Sequence, residues 1–253
     1  AHLTNAGIKV NLLDVIPKEN KNRNYLAENA VNKLIKTTPS PLTLKSNIRL
    51  IRTGNIEDDL HLINDSDWAI EAVLEELDVK KNLYKKIEDI MRDDLIVSSN
   101  TSTIPLNKLV EGRAQKFKSN FLITHFFNPP RYLKLLEIVS SKEVNAETRE
   151  KIAKFCDIYL GKSIIECKDT PGFIANRIGV FWMLHAAVKA INSNLSVEEA
   201  DQIIMRVFNA PKTGVFGLID VVGLDLLPHV LESLLQGVSK NDDYHEFRDQ
   251  PDI

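Results

Sequence analysis

The sequence predicts an α/β fold, in which a doubly wound, mostly parallel sheet is followed by a smaller all-α domain. Up to about residue 168, short runs rich in Ile, Val and Leu alternate with longer helical patterns, which indicates βαβ units. From Gly172 onward the apolar residues follow only the helical period. We therefore expect two domains, 1–170 and 171–253, with the boundary near Pro171.

The first half of the chain alternates strands with helices. Gly7 is placed to end a helix that is already under way at Ala1. Strands are expected at 8–14, 48–52, 68–73 and 95–99, and helices at 18–37 and 79–91.

The sheet is expected to continue through two strands that flank an Asn-Pro-Pro turn. These strands are 121–125 and 133–139, followed by a helix at 146–160 and a strand at 163–167. The second domain then holds a long apolar helix at 174–191 and further helices at 197–208 and 224–235. The polar tail from Ser239 is expected to be poorly ordered.

Composition argues against several classes of function. The chain has 32 basic and 35 acidic residues, a formal net charge of −3, which gives no basic surface for nucleic acid. No apolar run has the length of a membrane span, so no membrane association is expected. Cys156 and Cys167 lack the spacing of a zinc site or a disulfide scaffold. We expect a cytoplasmic protein without a bound metal.

A histidine and a glutamate flank the Asn-Pro-Pro turn. The turn can bring Glu137 back beside His125, twelve positions earlier in the chain. From this spacing alone, His125 is more often an ordinary polar residue at a strand end than a catalyst.

Three motifs together resemble those of the 3-hydroxyacyl-CoA dehydrogenase family. They are Ser99-Asn-Thr-Ser102, the His125-Phe-Phe-Asn-Pro segment with its downstream Glu137, and Asp169-Thr-Pro-Gly-Phe-Ile-Ala-Asn176-Arg177. They occur in the family's order and with its separations, and the resemblance covers almost the whole chain. The segment His125-Phe-Phe-Asn-Pro-Pro-Arg-Tyr is most similar to large bacterial fusions of this dehydrogenase with an enoyl-CoA hydratase.

The resemblance implies NAD-dependent oxidation of (3S)-3-hydroxyacyl-CoA to 3-oxoacyl-CoA in fatty-acid β-oxidation. Histidine suits the acid-base role because its ring titrates near neutral pH, and a carboxylate on its far nitrogen fixes the tautomer. The resemblance implies the acid-base role for His125 and the role of the carboxylate for Glu137. Ser102 and Asn176 are implied to donate hydrogen bonds to the reacting oxygen. Their structural alternatives are caps: Ser102 for a helix near Ile104, and Asn176 for the apolar helix.

The resemblance also implies a Rossmann-like NAD site. Asp14 ends the first strand, where an acid hydrogen-bonds the adenosine ribose and repels a 2′-phosphate. Glu75, Lys80, Ser102 and Asn128 match further NAD-contacting positions, although a Glu or Lys on a charged helix otherwise indicates a solvated face.

The sequence lacks one motif that the resemblance implies, the glycine-rich turn of the NAD site. A Gly-x-Gly-x-x-Gly turn belongs before Asp14, and no such motif occurs in residues 1–253. We therefore interpret the chain as a fragment truncated at both ends, whose sheet lacks its first strand and glycine turn, and expect weak NAD binding by the fragment alone.

Two other functions remain open at this level. A relative with the same fold and dyad oxidises a hydroxy acid that carries no CoA, whereas a catalytically silent fragment serves only in packing or association. An acyl-CoA thioester is the expected substrate, and the apolar helix allows a homodimer through the helical domain. His185 is expected to be a core histidine, and Cys167 a buried small apolar residue.

Overall fold

A computed structural model describes residues 1–208, 212–224 and 226–248 of the chain. Their contacts divide the chain into two compact units. Unit 1 comprises Ala1–Thr101 and Leu106–Cys167, and unit 2 comprises Ser102–Pro105 and Lys168–Ile253.

The described part of unit 1 contains two sheets. Its strands are β1 Val10–Asp14, β2 Ile51–Asn55, β3 Trp68–Glu71, β4 Ile96–Ser99, β5 Phe121–Phe126, β6 Leu135–Val139 and β7 Ser163–Cys167. β1 pairs with β2 in parallel, and the larger sheet has the order β3-β4-β5-β6-β7. Its neighbouring strands are parallel except β5 and β6, which are antiparallel. The α/β fold with a mostly parallel sheet is confirmed.

The strand order differs from that of one continuous doubly wound sheet. In such a sheet, the first strand of the chain lies between the second strand and the fourth. Among the described strands, β1 pairs with β2 alone, and β3 begins a separate sheet.

The larger sheet carries the core of unit 1. All four residues of β4 are buried, as are five of the six residues of β5. Such continuous burial is typical of parallel strands covered on both faces. Leu122 and Leu136 pack against Ile152 and Cys156 of the helix Ala146–Leu160. The strands that carry His125 and Glu137 are therefore held by packing on their neighbours.

Eleven α-helices occur in the described residues. They are α1 His2–Asn5, α2 Tyr25–Lys36, α3 Ile56–Asp59, α4 Leu77–Ile90, α5 Leu106–Leu109, α6 Gln115–Ser119, α7 Ala146–Leu160, α8 Ala175–Asn192, α9 Val197–Phe208, α10 Gly214–Val222 and α11 Leu226–Gly237. The first helix ends before Gly7, which has a φ of +80°.

Two predicted elements of unit 1 begin at least three residues later than expected. Helix α2 starts at Tyr25 and not at residue 18, because asparagine side chains turn the preceding chain. The backbone N–H of Asn22 donates to Asn20 Oδ1 at 2.9 Å, and that of Asn24 donates to Asn22 Oδ1 at 3.0 Å. The strand expected at 48–52 is β2, which begins at Ile51 after a 3₁₀-helix at Lys45–Leu50.

Unit 2 contains one helix that the sequence pattern did not predict. Helix α10 was missed because its two glycines and its nearly uniform apolar character hide the helical period. The last predicted helix, at 224–235, is Leu226–Gly237.

The prediction of a poorly ordered tail was wrong for the residues up to 248. Tyr244 and Phe247 lie in a 3₁₀-helix, Asp243–Phe247, and are only 2% and 7% exposed. The Tyr244 hydroxyl donates to the carbonyl oxygen of Arg177, whose guanidinium pairs with Asp242. Burial of two aromatic rings outweighs the polar character of the segment. Residues 249–253 of the predicted tail lie outside the described residues.

The described ranges contain neither a membrane-spanning helix nor a cluster of metal-ligating side chains. None of the helices within 1–208, 212–224 and 226–248 has the length and apolar character needed to cross a bilayer. Within the same ranges, no three His, Cys, Asp or Glu side chains lie together as metal ligands would.

Candidate active site

His125 and Glu137 face each other across the antiparallel pair β5 and β6. The register places His125 directly opposite Glu137. Directly opposed residues on an antiparallel pair lie side by side on the same face of the sheet. The predicted effect of the Asn-Pro-Pro turn, to return the glutamate to the histidine, therefore agrees with the strand register.

The two side chains form a buried hydrogen-bonded pair. His125 Nδ1 lies 2.8 Å from Glu137 Oε2, with His125 6% exposed and Glu137 fully buried. The ring of Phe127 covers the imidazole at a centroid distance of 4.4 Å. Burial of the pair reduces solvent screening, which strengthens the interaction between a carboxylate and an imidazole.

The geometry assigns the protons of the neutral ring. An ionised carboxylate only accepts hydrogen bonds, so Nδ1 of His125 carries the hydrogen and donates it to Glu137. Nε2 then holds the lone pair and is the nitrogen that takes up a proton. The charge of the carboxylate stabilises the imidazolium formed in that step. The arrangement can therefore act as a general base and, after protonation, as a general acid.

Cys167 lies closer to this pair than the sequence indicated. We expected a buried small residue, but Cys167 is only partly buried, because β7 is an edge strand of the sheet. Its Sγ lies 3.7 Å from Glu137 Oε1, within reach of a weak S–H donor. The pairing of β7 with β6 creates this contact, and no motif in the sequence indicates it.

Hydrogen bonds join the segment after β4 to the backbone next to His125. The side-chain oxygen Oδ1 of Asn100 accepts the backbone N–H of Phe126 at 2.9 Å. The backbone N–H of Asn100 donates in turn to the carbonyl oxygen of Glu71 at 2.8 Å. These bonds fix the carboxyl ends of β3, β4 and β5 relative to one another.

Ser102 and Asn176 both belong to unit 2. Neither occupies the N-cap position of the helix considered as a structural alternative. Ser102 lies four residues before α5, whereas an N-cap directly precedes the first helical residue. Asn176 is the second residue of α8, and the N-cap position is taken by Ile174, without a side-chain cap bond. Their implied role beside the reacting oxygen stays a prediction.

Asp14 stands at the end of β1, in register with Asn55 at the end of β2. Its Oδ1 accepts the backbone N–H of Val15 at 2.7 Å. The structure describes no hydrogen-bond partner for Oδ2 within 1–208, 212–224 and 226–248. The exposed Asn128 lies two residues beyond β5.

Glu75 and Lys80 form an ion pair near the start of α4. Lys80 Nζ lies 3.1 Å from Glu75 Oε2. The solvated face that a lysine on a charged helix otherwise indicates does not apply to Lys80, whose side chain is 1% exposed. Burial is possible because its ammonium also contacts Glu71 Oε1 at 2.7 Å, so the charge is compensated.

Sequence reasoning missed the carboxylate at the centre of this cluster. Glu71 is the last residue of β3, and its side chain is 1% exposed. The signal that identified Asp14, an acid that ends an apolar strand, was hidden at Glu71, because the apolar run predicted a strand that continues to residue 73.

These residues fit an NAD site at the carboxyl edge of the sheet. Asp14 presents a carboxylate oxygen suited to the ribose hydroxyls, whereas Glu75, Lys80 and Asn128 follow the ends of β3 and β5. Residues 1–253 contain no Gly-x-Gly-x-x-Gly turn of the kind that approaches the pyrophosphate.

Comparison with known proteins agrees with this geometry. Residues 1–170 match the family model for the 3-hydroxyacyl-CoA dehydrogenase NAD binding domain, and residues 172–250 match that for the C-terminal domain. The match to the first model confirms NAD as the cofactor of this domain family.

Two curated relatives are similar over nearly the whole chain. A putative fatty acid oxidation complex trifunctional enzyme from Rickettsia prowazekii is 42% identical over 97% of this chain and 34% of its own length. A probable 3-hydroxyacyl-CoA dehydrogenase from Deinococcus radiodurans is 37% identical over 96% of this chain and 70% of its own. The chain thus spans about a third of the first relative.

A solved structure shares the fold. The (S)-3-hydroxybutyryl-CoA dehydrogenase PaaH1 from Ralstonia eutropha aligns with a TM-score of 0.75 and 27% identity, covering 93% of this chain and 81% of that chain. The resemblance predicted from the motifs is confirmed by the two family models, which together match residues 1–170 and 172–250. The chain belongs to the 3-hydroxyacyl-CoA dehydrogenase family.

Proposed function

We propose that this chain forms the dehydrogenase part of an enzyme that oxidises (3S)-3-hydroxyacyl-CoA to 3-oxoacyl-CoA with NAD in fatty-acid β-oxidation. The observation that carries the proposal is the buried pair of His125 and Glu137, 2.8 Å apart in a family of this activity. The trifunctional relatives are named for fatty acid oxidation, which supports the pathway.

The acid-base step follows from the pair. His125 Nε2 takes the proton of the C3 hydroxyl as the C–H bond at C3 breaks, and Glu137 stabilises the resulting imidazolium through Nδ1. In the reverse direction the same imidazolium returns the proton to the C3 oxygen. When bound, NAD supplies the acceptor for the hydride.

Five further residues complete the proposal. Ser102 and Asn176 donate hydrogen bonds to the C3 oxygen, where negative charge develops as its proton leaves. Asp14 accepts from the adenosine ribose, and Glu75 with Lys80 contacts the cofactor beyond it. The motif order supports these roles.

The test of substrate class compares a thioester with its free acid. We expect the full-length protein to oxidise NADH rapidly with acetoacetyl-CoA, and at least roughly 100-fold more slowly with acetoacetate at the same concentration, because the CoA part supplies binding energy. The absorbance of NADH at its near-ultraviolet band measures both rates. A faster reaction with the free acid favours a hydroxy-acid dehydrogenase, and no reaction with either favours a silent module.

We also propose that unit 2 associates with a second copy of the chain. Helix α8 is apolar on two faces: Met183 and Ala187 pack in the core, whereas Ile178 and Trp182 line an open cavity of about 700 Å³. Ile178 is 64% exposed. An apolar helix face of this kind typically meets a partner.

Within the same cavity lies a histidine that we expected in the core. His185 is exposed and stacks on Phe181 at a centroid distance of 5.9 Å. It lies one helical turn beyond Phe181 and Trp182, on the face of α8 that lines the cavity. Periodicity did not reveal this, because apolar residues occur on all sides of the helix around His185.

Sedimentation velocity tests the association. We expect a dimer for the wild-type full-length protein and a monomer for Ile178→Glu, which places a charge on the apolar face. The control is Ile158→Glu on α7 in unit 1, where Ile158 is 70% exposed and a charge should leave the dimer intact. A monomeric wild type, or a dimeric Ile178→Glu, contradicts the proposed surface.

A further inference from the structure

We infer that Glu71 is a positioning residue, which holds the Glu75–Lys80 pair and the Ser99–Thr101 segment in the arrangement that binds the cofactor. The inference rests on the proposed function, because it takes Glu75 and Lys80 as cofactor contacts. Its physical basis is the set of hydrogen bonds to the buried carboxylate.

Both oxygens of Glu71 accept two hydrogen bonds. Oε1 accepts from the backbone N–H of Val73 and from Lys80 Nζ, each at 2.7 Å. Oε2 accepts from the Tyr84 hydroxyl at 2.5 Å and from the Ser99 hydroxyl at 2.6 Å. A carboxylate offers about four lone-pair sites, so these donors occupy all of them. The group is therefore fixed in position and orientation.

The donors come from three different elements. Lys80 and Tyr84 lie one turn apart on α4, Val73 follows β3, and Ser99 ends β4. Tyr84 remains a donor, since burial and the nearby charge of Glu71 raise the pKa of its hydroxyl. One carboxylate thus joins the start of α4 to the carboxyl ends of two strands.

The network extends to the exposed edge of the site. Lys80 reaches from buried Glu71 to Glu75, whose side chain is 39% exposed. Ser99 Oγ accepts the backbone N–H of Thr101, and Thr101 Oγ1 donates to Glu75. Two routes therefore connect Glu71 to Glu75, one through an ammonium and one through a hydroxyl. Displacement of the Glu71 carboxylate therefore shifts both Lys80 and Ser99, and with them the groups that contact Glu75.

Two substitutions of Glu71 distinguish the effect of the position of its carboxylate from the effect of its charge. Glu71→Asp keeps the charge, but a side chain shorter by one methylene cannot reach all four donors. Glu71→Gln keeps the length: its oxygen can face Val73 and Lys80, and its amide group can donate to the hydroxyl oxygens of Tyr84 and Ser99. A positioning role predicts that Asp weakens cofactor binding more than Gln does.

The experiment is a fluorescence titration of the full-length protein with NADH, together with thermal unfolding of each variant. Displacement of binding groups by about 1 Å has large effects, so we expect roughly tenfold weaker NADH binding for Glu71→Asp. Glu71→Gln should stay within about threefold of wild type. The matched control, Tyr84→Phe, removes one donor to the same carboxylate without moving it and should stay within about twofold.

The outcomes are distinguishable. Unchanged NADH affinity in a folded Glu71→Asp variant, even with lowered thermal stability, overturns the inference and leaves the proposed function intact. Equal weakening by Asp and Gln also overturns it. If wild type itself does not bind NADH, the proposed function fails together with the inference. If Glu71→Asp does not fold, Ser99→Ala decides: at least threefold weaker binding supports the inference, and unchanged affinity overturns it.

Discussion

Replacement of His125 by Gln should lower kcat of the full-length protein by about 10²- to 10⁴-fold, the contribution of a positioned general base. Glutamine approximates the size of the imidazole and can still donate to Glu137, but it takes up no proton near neutral pH. The expected result is loss of turnover with unchanged NADH affinity, measured by steady-state kinetics and fluorescence titration. Retained turnover contradicts the role of His125.

A second histidine of unit 1 provides the control for that substitution. His61 is exposed and lies in the 3₁₀-helix Leu60–Asp65, which precedes β3 and therefore lies toward the amino ends of the strands. Ligands bind at the opposite, carboxyl edge of such a sheet. His61→Gln should leave kcat within about twofold, since surface changes away from a site have small effects.

Replacement of Lys80 by Met should destabilise unit 1 by about 3 to 5 kcal/mol, the cost of leaving a buried charge without its partner. Lys80 and Glu71 are each 1% exposed and lie 2.7 Å apart, so solvent cannot compensate the remaining carboxylate. Urea unfolding measures the loss as a lower midpoint. Addition of Glu71→Gln to Lys80→Met should recover most of it, because the double variant buries no net charge.

The same helix offers a matched control for Lys80. Lys86 pairs with Glu57 at 2.7 Å, but the two side chains are 46% and 54% exposed. Exposed pairs contribute less than about 1 kcal/mol, so Lys86→Met should shift the midpoint little. Equal shifts for the two lysines contradict the view that burial sets the cost.

The sequence predicted the strands near the active site better than the links between them. The apolar runs around residues 95–99 and 121–125 correspond to β4 and β5, because continuous burial leaves a clear pattern. The opposition of His125 and Glu137 followed from a turn between two adjacent strands. A turn between adjacent strands involves residues that are close in sequence, so the spacing and order of the motifs are enough to predict it.

The contacts of Glu71 could not be predicted from the sequence, for a physical reason. They depend on which strands become neighbours and on where the side chain of Lys80 extends from α4. The period of the apolar residues carries no information on either. Lys80 lies in a charged segment, so its pattern indicates a solvated face. Only the folded chain brings Lys80 on α4 to Glu71 at the end of β3, the partner that allows its burial.

The central claim is that one histidine transfers the proton in both directions, and the turnover of one variant in both directions tests it most directly. In the full-length protein, His125→Gln should lower kcat for oxidation of 3-hydroxybutyryl-CoA by about 10²- to 10⁴-fold, and kcat for reduction of acetoacetyl-CoA by a similar factor, because both steps use the same imidazole. The control His61→Gln should leave both values within about twofold. Loss of turnover in only one direction, or in neither, contradicts the account.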